Sequence, residues 1–395
     1  MIMDSMEYIN DTEKLLLHTY NKLPVVMERG QGIYLYDEKG KAYLDFGAGI
    51  AVSSLGYGNV RLAEALCNQV NNLLHTSNLY HHTQSLSAAK QILKIAGMDQ
   101  VFFTNSGTEA IEGALKAARK YGYEKGNGKY EFIAMENSFH GRSMGALSVT
   151  GTQQYREPFE PLIPGISFAK FNDIESVKEK VTDKTCGIIL EPVQGEGGIY
   201  PAKKEFLQSV RDLCSERDIL LIFDEIQCGM GRSGSYFAWQ HYGVKPDILV
   251  MAKAIGSGIP VGAFALTNQV AKNSLKPGDH GTTYGGNPLA LCAVLTTIEI
   301  VKEENLLSHV KEVGKYLREA LEKLKKSTDV IKEIRGIGLM QGIELTIPVS
   351  DVIYQAFTKG LLLIAAGNNV IRFVPPLIVT KADVDKMIEV LREIL

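Results

Sequence analysis

The chain has 395 residues, of which 45% are hydrophobic and 22% charged, and its formal net charge is −3. That is the balance of a folded protein with a large core; with no block of like charge, it argues against a nucleic-acid binder or a membrane-surface patch. The five cysteines (Cys67, Cys186, Cys214, Cys228 and Cys292) are odd in number and scattered without C-x-x-C spacing, so they read as buried thiols in a reducing compartment, not as disulfides or a zinc site.

Residues 1–23 read as a helix leading into an extended segment punctuated by Pro24. Asp4, Glu7, Asp11 and Glu13 leave no apolar core of signal-peptide length there, and apolar runs such as 219–223 and 361–366 are too short to span a bilayer. A cytoplasmic enzyme is the expectation. Residues 30–46 alternate as two strands around a turn at Asp37 to Gly40, which predicts a hairpin. The glycine-rich stretch 47–58 reads as flexible.

Residues 101–110 pass from a strand through Ser106-Gly107-Thr108 into a helix of good formers reaching Tyr121. Such a turn offers unpaired N–H groups, two hydroxyls and the positive end of a helix dipole, which suits a phosphate, although plain N-capping is the commoner use. A strand at 131–135 leads to Asn137-Ser138-Phe139-His140-Gly141-Arg142. Another at 186–190 runs into Glu191, Glu196 and intervening glycines, which most proteins would use as a solvated loop.

Two buried-strand patterns follow, opening at Leu220 and at Ile248, each a short aliphatic run that ends on one ionisable residue. The first ends on Asp224, followed by Glu225-Ile226-Gln227, and the second leads to Lys253. Carboxyl ends of strands in open α/β sheets form the ligand crevice, so a carboxylate and an amine placed there point into one pocket. Pyridoxal phosphate needs both, an amine for its aldehyde and an acid for its ring nitrogen. A strand at 262–266, a loop from Asp279 to Pro288 and apolar-periodic helices at 289–303 and 306–324 come next. Residues 331–395 alternate strands and helices.

With Asp224-Glu225-Ile226-Gln227 leading to Lys253, the sequence resembles the class III (subgroup II) pyridoxal-phosphate aminotransferases, from about Val25 to Pro376. The resemblance implies an α/β protein of the fold type I pyridoxal-phosphate transferases. A large domain with a mainly parallel seven-stranded sheet (51–288) would be joined by a smaller α+β domain built from both termini (1–50 and 289–395). Lys253 would carry pyridoxal 5′-phosphate as a Schiff base and move a proton, with Asp224 on the ring nitrogen and Gln227 on the 3-oxygen. Ser106, Gly107 and Thr108 would hold the phosphate, and Phe139 would stack on the ring. Arg142 would take a substrate carboxylate. Glu196 would pair with Arg372 and release it for a dicarboxylate, while Glu191 would lie behind the cofactor.

Thr282 would bind substrate, and Thr283 would cross a two-fold axis to the other subunit's phosphate, making an obligate homodimer with composite sites. His140 is a tempting general base, but Lys253 is the nearer one by this reading. The chain departs from the family at Gly56-Tyr57-Gly58-Asn59-Val60, where relatives commonly carry Gly-His-x-His-Pro. That change is expected to alter a local turn and not the chemistry, and the missing histidines argue against a metal. Ornithine aminotransferases carry a tyrosine in the loop matching residues 47–52, where this chain has Gly49 and Ile50. The space suits a blocked α-amino group, so the expected donor is N2-acetyl-L-ornithine and the acceptor 2-oxoglutarate. Succinylornithine, ornithine and 4-aminobutyrate are the alternative donors. An aminomutase is disfavoured by the Glu196 and Arg372 pair. A nucleotide-binding protein is disfavoured because neither glycine cluster follows a strand as G-x-x-x-x-G-K-[ST] or G-x-G-x-x-G.

Overall fold

The computed structural model describes residues 5–126 and 128–395. Near the N-terminus, β1 (Met27–Gln31), β2 (Tyr34–Asp37) and β3 (Ala42–Asp45) form an antiparallel meander. The predicted hairpin is β2 and β3, and β1 adds an edge. The helix expected to lead into an extended segment within residues 1–23 is Ser5–Leu15, and residues 1–4 lie outside the described residues. That helix buries none of its residues, so no packing carries it on toward Pro24.

The large sheet contains β4 (Gln100–Thr104), β5 (Glu131–Met135), β6 (Ile166–Ala169), β7 (Thr185–Leu190), β10 (Leu220–Asp224), β11 (Ile248–Met251) and β12 (Gly262–Leu266). Between them in sequence, β8 (Val193–Gln194) and β9 (Tyr200–Pro201) form a small separate pair. The order of the large sheet is β4-β12-β11-β10-β7-β5-β6, and β12 alone runs against its neighbours. Every residue of β7, β10, β11 and β12 is buried, as unbroken apolar runs require when both faces are covered. Alternation along β5 divides the core, with Phe132 and Ala134 on one face and Ile133 and Met135 on the other.

The helix Gly107–Glu124 lies on the first of these faces through Ala110, Ala114, Ala117 and Ala118. Its small residues let it approach closely. A Cβ on Gly113 would lie 2.2 Å from the Phe264 ring of β12.

Toward the C-terminus, β13 (Ile331–Ile337), β14 (Met340–Leu345), β15 (Leu361–Leu362), β16 (Ile364–Ala366) and β17 (Val370–Phe373) complete two smaller sheets. One has the order β13-β14-β17-β16, and β15 pairs parallel with β3, joining the two ends of the chain in a single sheet. The helices Pro288–Glu303 and Leu306–Lys325 agree with the predicted pair within a residue at each end.

One expectation fails: Cys67 is exposed, while the other four cysteines are buried. Its helix, Val60–Asn72, buries only Leu62 and Gln69, which share a face, and Cys67 projects from the opposite side. Among the described residues, no helix is long and apolar enough to cross a membrane.

Candidate active site

Beyond the carboxyl ends of β4, β5, β7, β10 and β11 the chain encloses a cavity of about 460 Å³. Each strand delivers one part of its wall. After β4, Ser106 caps the Gly107–Glu124 helix, its Oγ accepting the Glu109 N–H at 3.3 Å. The Glu109 carboxylate returns to the Asn105 N–H at 2.9 Å, fixing the turn from both sides. The first N–H groups of a helix have no partner in its own ladder, and here those of Gly107 and Thr108 belong to residues lining the cavity. A Cβ on Gly107 would come within 2.8 Å of the Ile226 side chain, so a larger residue would have to push that side chain aside. The Thr108 hydroxyl also meets Ser143 Oγ at 2.7 Å.

After β5 come Phe139, His140 and Arg142, all on the cavity wall. The Arg142 guanidinium lies 3.8 Å over the Tyr155 ring and 5.4 Å from that of Phe139. Two aromatic faces thus hold an exposed arginine in place, with no carboxylate paired to it among the described residues.

At the end of β10, Asp224 is nearly fully buried. Its Oδ1 accepts the Ile226 N–H at 3.0 Å, and its Oδ2 stands 2.7 Å from His140 Nδ1. A carboxylate only accepts, so this contact places a proton on Nδ1. The other ring nitrogen, Nε2, is buried and has no partner among the described groups. His140 is therefore a fixed neighbour of Asp224, a relation the sequence reading missed. Glu191 sits behind both, accepting the N–H groups of Phe139 (3.1 Å) and Gly195 (3.2 Å). Burial pushes its carboxyl up to about 7, against the pull of His140.

Lys253 follows β11 by two residues with φ of +50°, a left-handed conformation that turns the chain sharply at the cavity. Its side chain keeps partial access to the cavity, but protein atoms surround the amine. That desolvation lowers its pKa from the ordinary lysine value; the opposing pull of Glu196 is smaller, and Arg372 adds to the lowering.

Behind the wall residue Gln227 stands a charged pair that does not itself line the cavity. Arg372, on β17 and almost wholly buried, donates from Nη1 to Glu196 Oε1 at 2.5 Å and from Nη2 to Oε2 at 3.3 Å. Arg372 Nη1 also reaches Gln227 Oε1 at 3.0 Å, while Gln227 Nε2 lies 3.4 Å from Glu196. Burial pulls the Glu196 carboxyl upward, but the charge and hydrogen bonds of Arg372 outweigh it and leave Glu196 below the usual carboxylate range. A Cβ on Gly195 would meet the Gln227 amide at 2.4 Å, which is how the loop comes so near.

The structure thus brings together Ser106, Gly107, Thr108 and Phe139 with Asp224, Gln227 and Lys253, and places Glu196 and Arg372 beside them. Thr282 and Thr283 do not line this chain's own cavity. Thr282 Oγ1 accepts Asn105 Nδ2 at 3.2 Å and the Gly285 N–H at 3.1 Å, and Thr283 is exposed. Tyr155, the platform under Arg142, carried no sequence signal, because it lies in a polar stretch with no motif around it.

Chemically, the cavity offers helix N–H donors for a phosphate, an aromatic face, a buried carboxylate and a deprotonation-prone amine. These are the groups that pyridoxal phosphate requires, so the residues fit that coenzyme. Among the described residues, no group of three or more His, Cys, Asp or Glu side chains is placed to hold a metal ion.

Comparison with known proteins agrees with this chemistry. The profile of the class III aminotransferases matches residues 16–395. The acetylornithine aminotransferase of Methanocaldococcus jannaschii is 47% identical, covering 99% of this chain and 98% of its own. That of Aquifex aeolicus is 48% identical over 96% of this chain and 99% of its own. Among solved structures, the ornithine aminotransferase of Toxoplasma gondii superposes with a TM-score of 0.95 at 31% identity, covering 99% and 95% of the two chains. The acetylornithine aminotransferase of Elizabethkingia anophelis gives 0.88 at 32%, covering 99% and 98%.

Proposed function

Because the chain belongs to the class III aminotransferases, which depend on pyridoxal phosphate, we propose that it moves the terminal amino group of N2-acetyl-L-ornithine to 2-oxoglutarate. The products would be N-acetyl-L-glutamate 5-semialdehyde and L-glutamate, a step of arginine biosynthesis. The observation that carries the ω-amine part of this reading is the two-point pairing of Arg372 with Glu196. An amine donor reacting at its terminal carbon has no carboxylate beside that carbon, so a bare Arg372 there would favour α-amino acids instead. Masked by Glu196, it does not. The names of the relatives at 47% and 48% identity supply the acetylated donor.

Bound pyridoxal phosphate supplies an aldehyde that condenses with amines and a ring that takes up the electron pair left on carbon when a proton departs. Ser106, Gly107 and Thr108 would hold its phosphate, and Phe139 would cover its ring. Asp224, held by Ile226 N–H and by His140, would keep the ring nitrogen protonated, and Gln227 would bond the 3-oxygen. Lys253 would be the point of attachment. Freed by the incoming amine, it would accept the proton from the donor's terminal carbon and deliver it to C4′, the carbon that carried the coenzyme's aldehyde. The lowered pKa of this amine suits a base that must be neutral before it acts. Arg142 would take the donor's carboxylate and then the distal one of 2-oxoglutarate, with Arg372 released to the α-carboxylate.

The cytoplasmic homodimer is part of the same proposal. Val60, Val70, Leu73, Leu74, Leu79 and Tyr284 are exposed large apolar residues on the Val60–Asn72 helix and in the segments after it and around Thr283, the residue expected to cross to a second subunit. Sedimentation at micromolar concentration is expected to give one species of twice the chain mass, and Leu74→Asp to shift it toward the monomer with loss of activity. A fully active monomer would remove Thr283 from the site. All five cysteines are free, in keeping with a reducing compartment.

A donor panel tests the substrate. With 2-oxoglutarate as acceptor, kcat/KM for N2-acetyl-L-ornithine is expected to exceed that for ornithine and for 4-aminobutyrate by about tenfold or more, with succinylornithine closer. Equal or better use of ornithine would replace the proposed donor. Turnover that needs no 2-oxoglutarate would point to an aminomutase.

A further inference from the structure

We propose that Tyr57, acting through Asp45, is a positioning residue that sets donor selectivity by holding the turn at residues 48–51 and hence Val52 on the cavity wall. The inference rests on the transaminase reading of the site and goes beyond it by assigning a task to the position where the sequence departs from its family.

The departure is built into its surroundings and is not an isolated change. Tyr57 forms an isolated antiparallel bridge with Gly32, just past the end of β1, exchanging N–H to carbonyl bonds of 2.7 and 2.9 Å. Its ring packs so closely on Gly30 that a Cβ there would lie 2.5 Å from the tyrosine side chain. A Cβ on Gly56 would strike the Gly32 carbonyl at 2.4 Å. With φ of +73° and +65°, Gly56 and Gly58 give the chain the two bends that turn Tyr57 toward β1.

From there the Tyr57 hydroxyl donates to Asp45 Oδ2 at 2.5 Å, closing a loop between positions that differ by 12 in sequence. Asp45 is buried at the end of β3, and its Oδ1 accepts the N–H groups of Gly47 (2.7 Å) and Ala48 (3.1 Å). These bonds start a turn in which Ala48, Gly49, Ile50 and Ala51 all have positive φ, between 47° and 63°. Three of the four carry a Cβ, so the turn stores backbone strain that its anchors must balance. Downstream the segment is tied to the lysine loop: the Ser54 hydroxyl donates to the Ala254 carbonyl at 3.2 Å, and the Leu55 N–H to Ser257 Oγ at 3.1 Å. Val52 lies between the two sets of anchors and lines the cavity.

Removing the hydroxyl frees one Asp45 oxygen and loosens the upstream anchor of a strained turn, while Lys253, Asp224, Arg142 and Arg372 keep their own contacts. The part of the cavity that changes is the wall at Val52. Selectivity among amine donors should therefore change more than the chemistry.

The test compares holoenzymes carrying Tyr57→Phe, Asp45→Asn and Val52→Ala with the wild type. In Tyr57→Phe, the ratio of kcat/KM for N2-acetyl-L-ornithine over 4-aminobutyrate is expected to fall by about fivefold to tenfold, with kcat on the better donor within about twofold. Asp45→Asn should shift the ratio in the same direction, and the double variant should fall no further than the worse single one, because both break one linkage. Val52→Ala, which leaves the staple intact, should also lower the ratio. A lowered melting temperature with an unchanged ratio in Tyr57→Phe would make the staple structural only and overturn the proposal. Failure of the wild type to use acetylornithine would instead overturn the donor assignment, and the same ratio could then be read on the two best donors found.

Discussion

Lys253→Ala is expected to lower kcat by about a thousandfold or more, because it removes both a nucleophile and a proton carrier from one position. Among the described residues, no other lysine lines the cavity. Lys253 is the lysine that lines the cavity, and its left-handed backbone points one particular side chain there. Coenzyme binding should survive, since the helix N-terminus, Phe139 and Asp224 remain. Reduction with borohydride followed by mass spectrometry should therefore mark the wild type at Lys253 and leave the variant unmodified. Lys253→Arg should be nearly as inactive, because a guanidinium keeps its charge under all working conditions. Substantial transamination by either variant would take Lys253 out of its proposed role.

The lowered pKa of Lys253 gives that prediction its physical content. An unperturbed lysine, with a pKa of about 10.4, is protonated at neutral pH and is neither a nucleophile nor a base. Burial opposes the charge, and Arg372 adds to the effect, while Glu196 opposes it. The amine and the charged pair are thus electrostatically linked, so a change at Glu196 acts on Lys253 as well as on Arg372.

Asp224 and Lys253 were legible because each ends a run whose composition fixes its burial, and strand ends in a sheet of this kind converge. The 262–266 strand and the two long helices after the 279–288 loop were legible from the same periodicities. What escaped were pairings between side chains far apart in sequence. His140 and Asp224 are separated by 84 positions, and neither strand pattern says that the two ends meet at 2.7 Å. Tyr155 beneath Arg142 and Asp45 beneath Tyr57 are of the same kind. Only the packed fold brings them together. Cys67 misled for a related reason: cysteine is usually buried, but the helix that carries it presents a narrow inner face.

Glu196→Gln is expected to shift preference toward α-amino donors, raising kcat/KM for L-glutamate relative to N2-acetyl-L-ornithine by about tenfold to a hundredfold. The argument follows from the burial of Arg372. With its partner ionised, the guanidinium has two matched bonds and little reason to seek another carboxylate. With a neutral amide in place of the carboxylate, Arg372 keeps a hydrogen bond through Gln227 and a carbonyl contact at Ala365, but its charge is uncompensated. Breaking one half of a buried pair costs about 3–5 kcal/mol, and any ligand that brings a carboxylate to Arg372 recovers part of it. L-glutamate and 2-oxoglutarate do so, and a donor reacting at its ω-carbon does not. KM for 2-oxoglutarate should accordingly fall in the variant while the ω-amine half-reaction weakens. An unchanged donor preference, with normal folding and coenzyme content, would show that Glu196 neutralises Arg372 without controlling access to it.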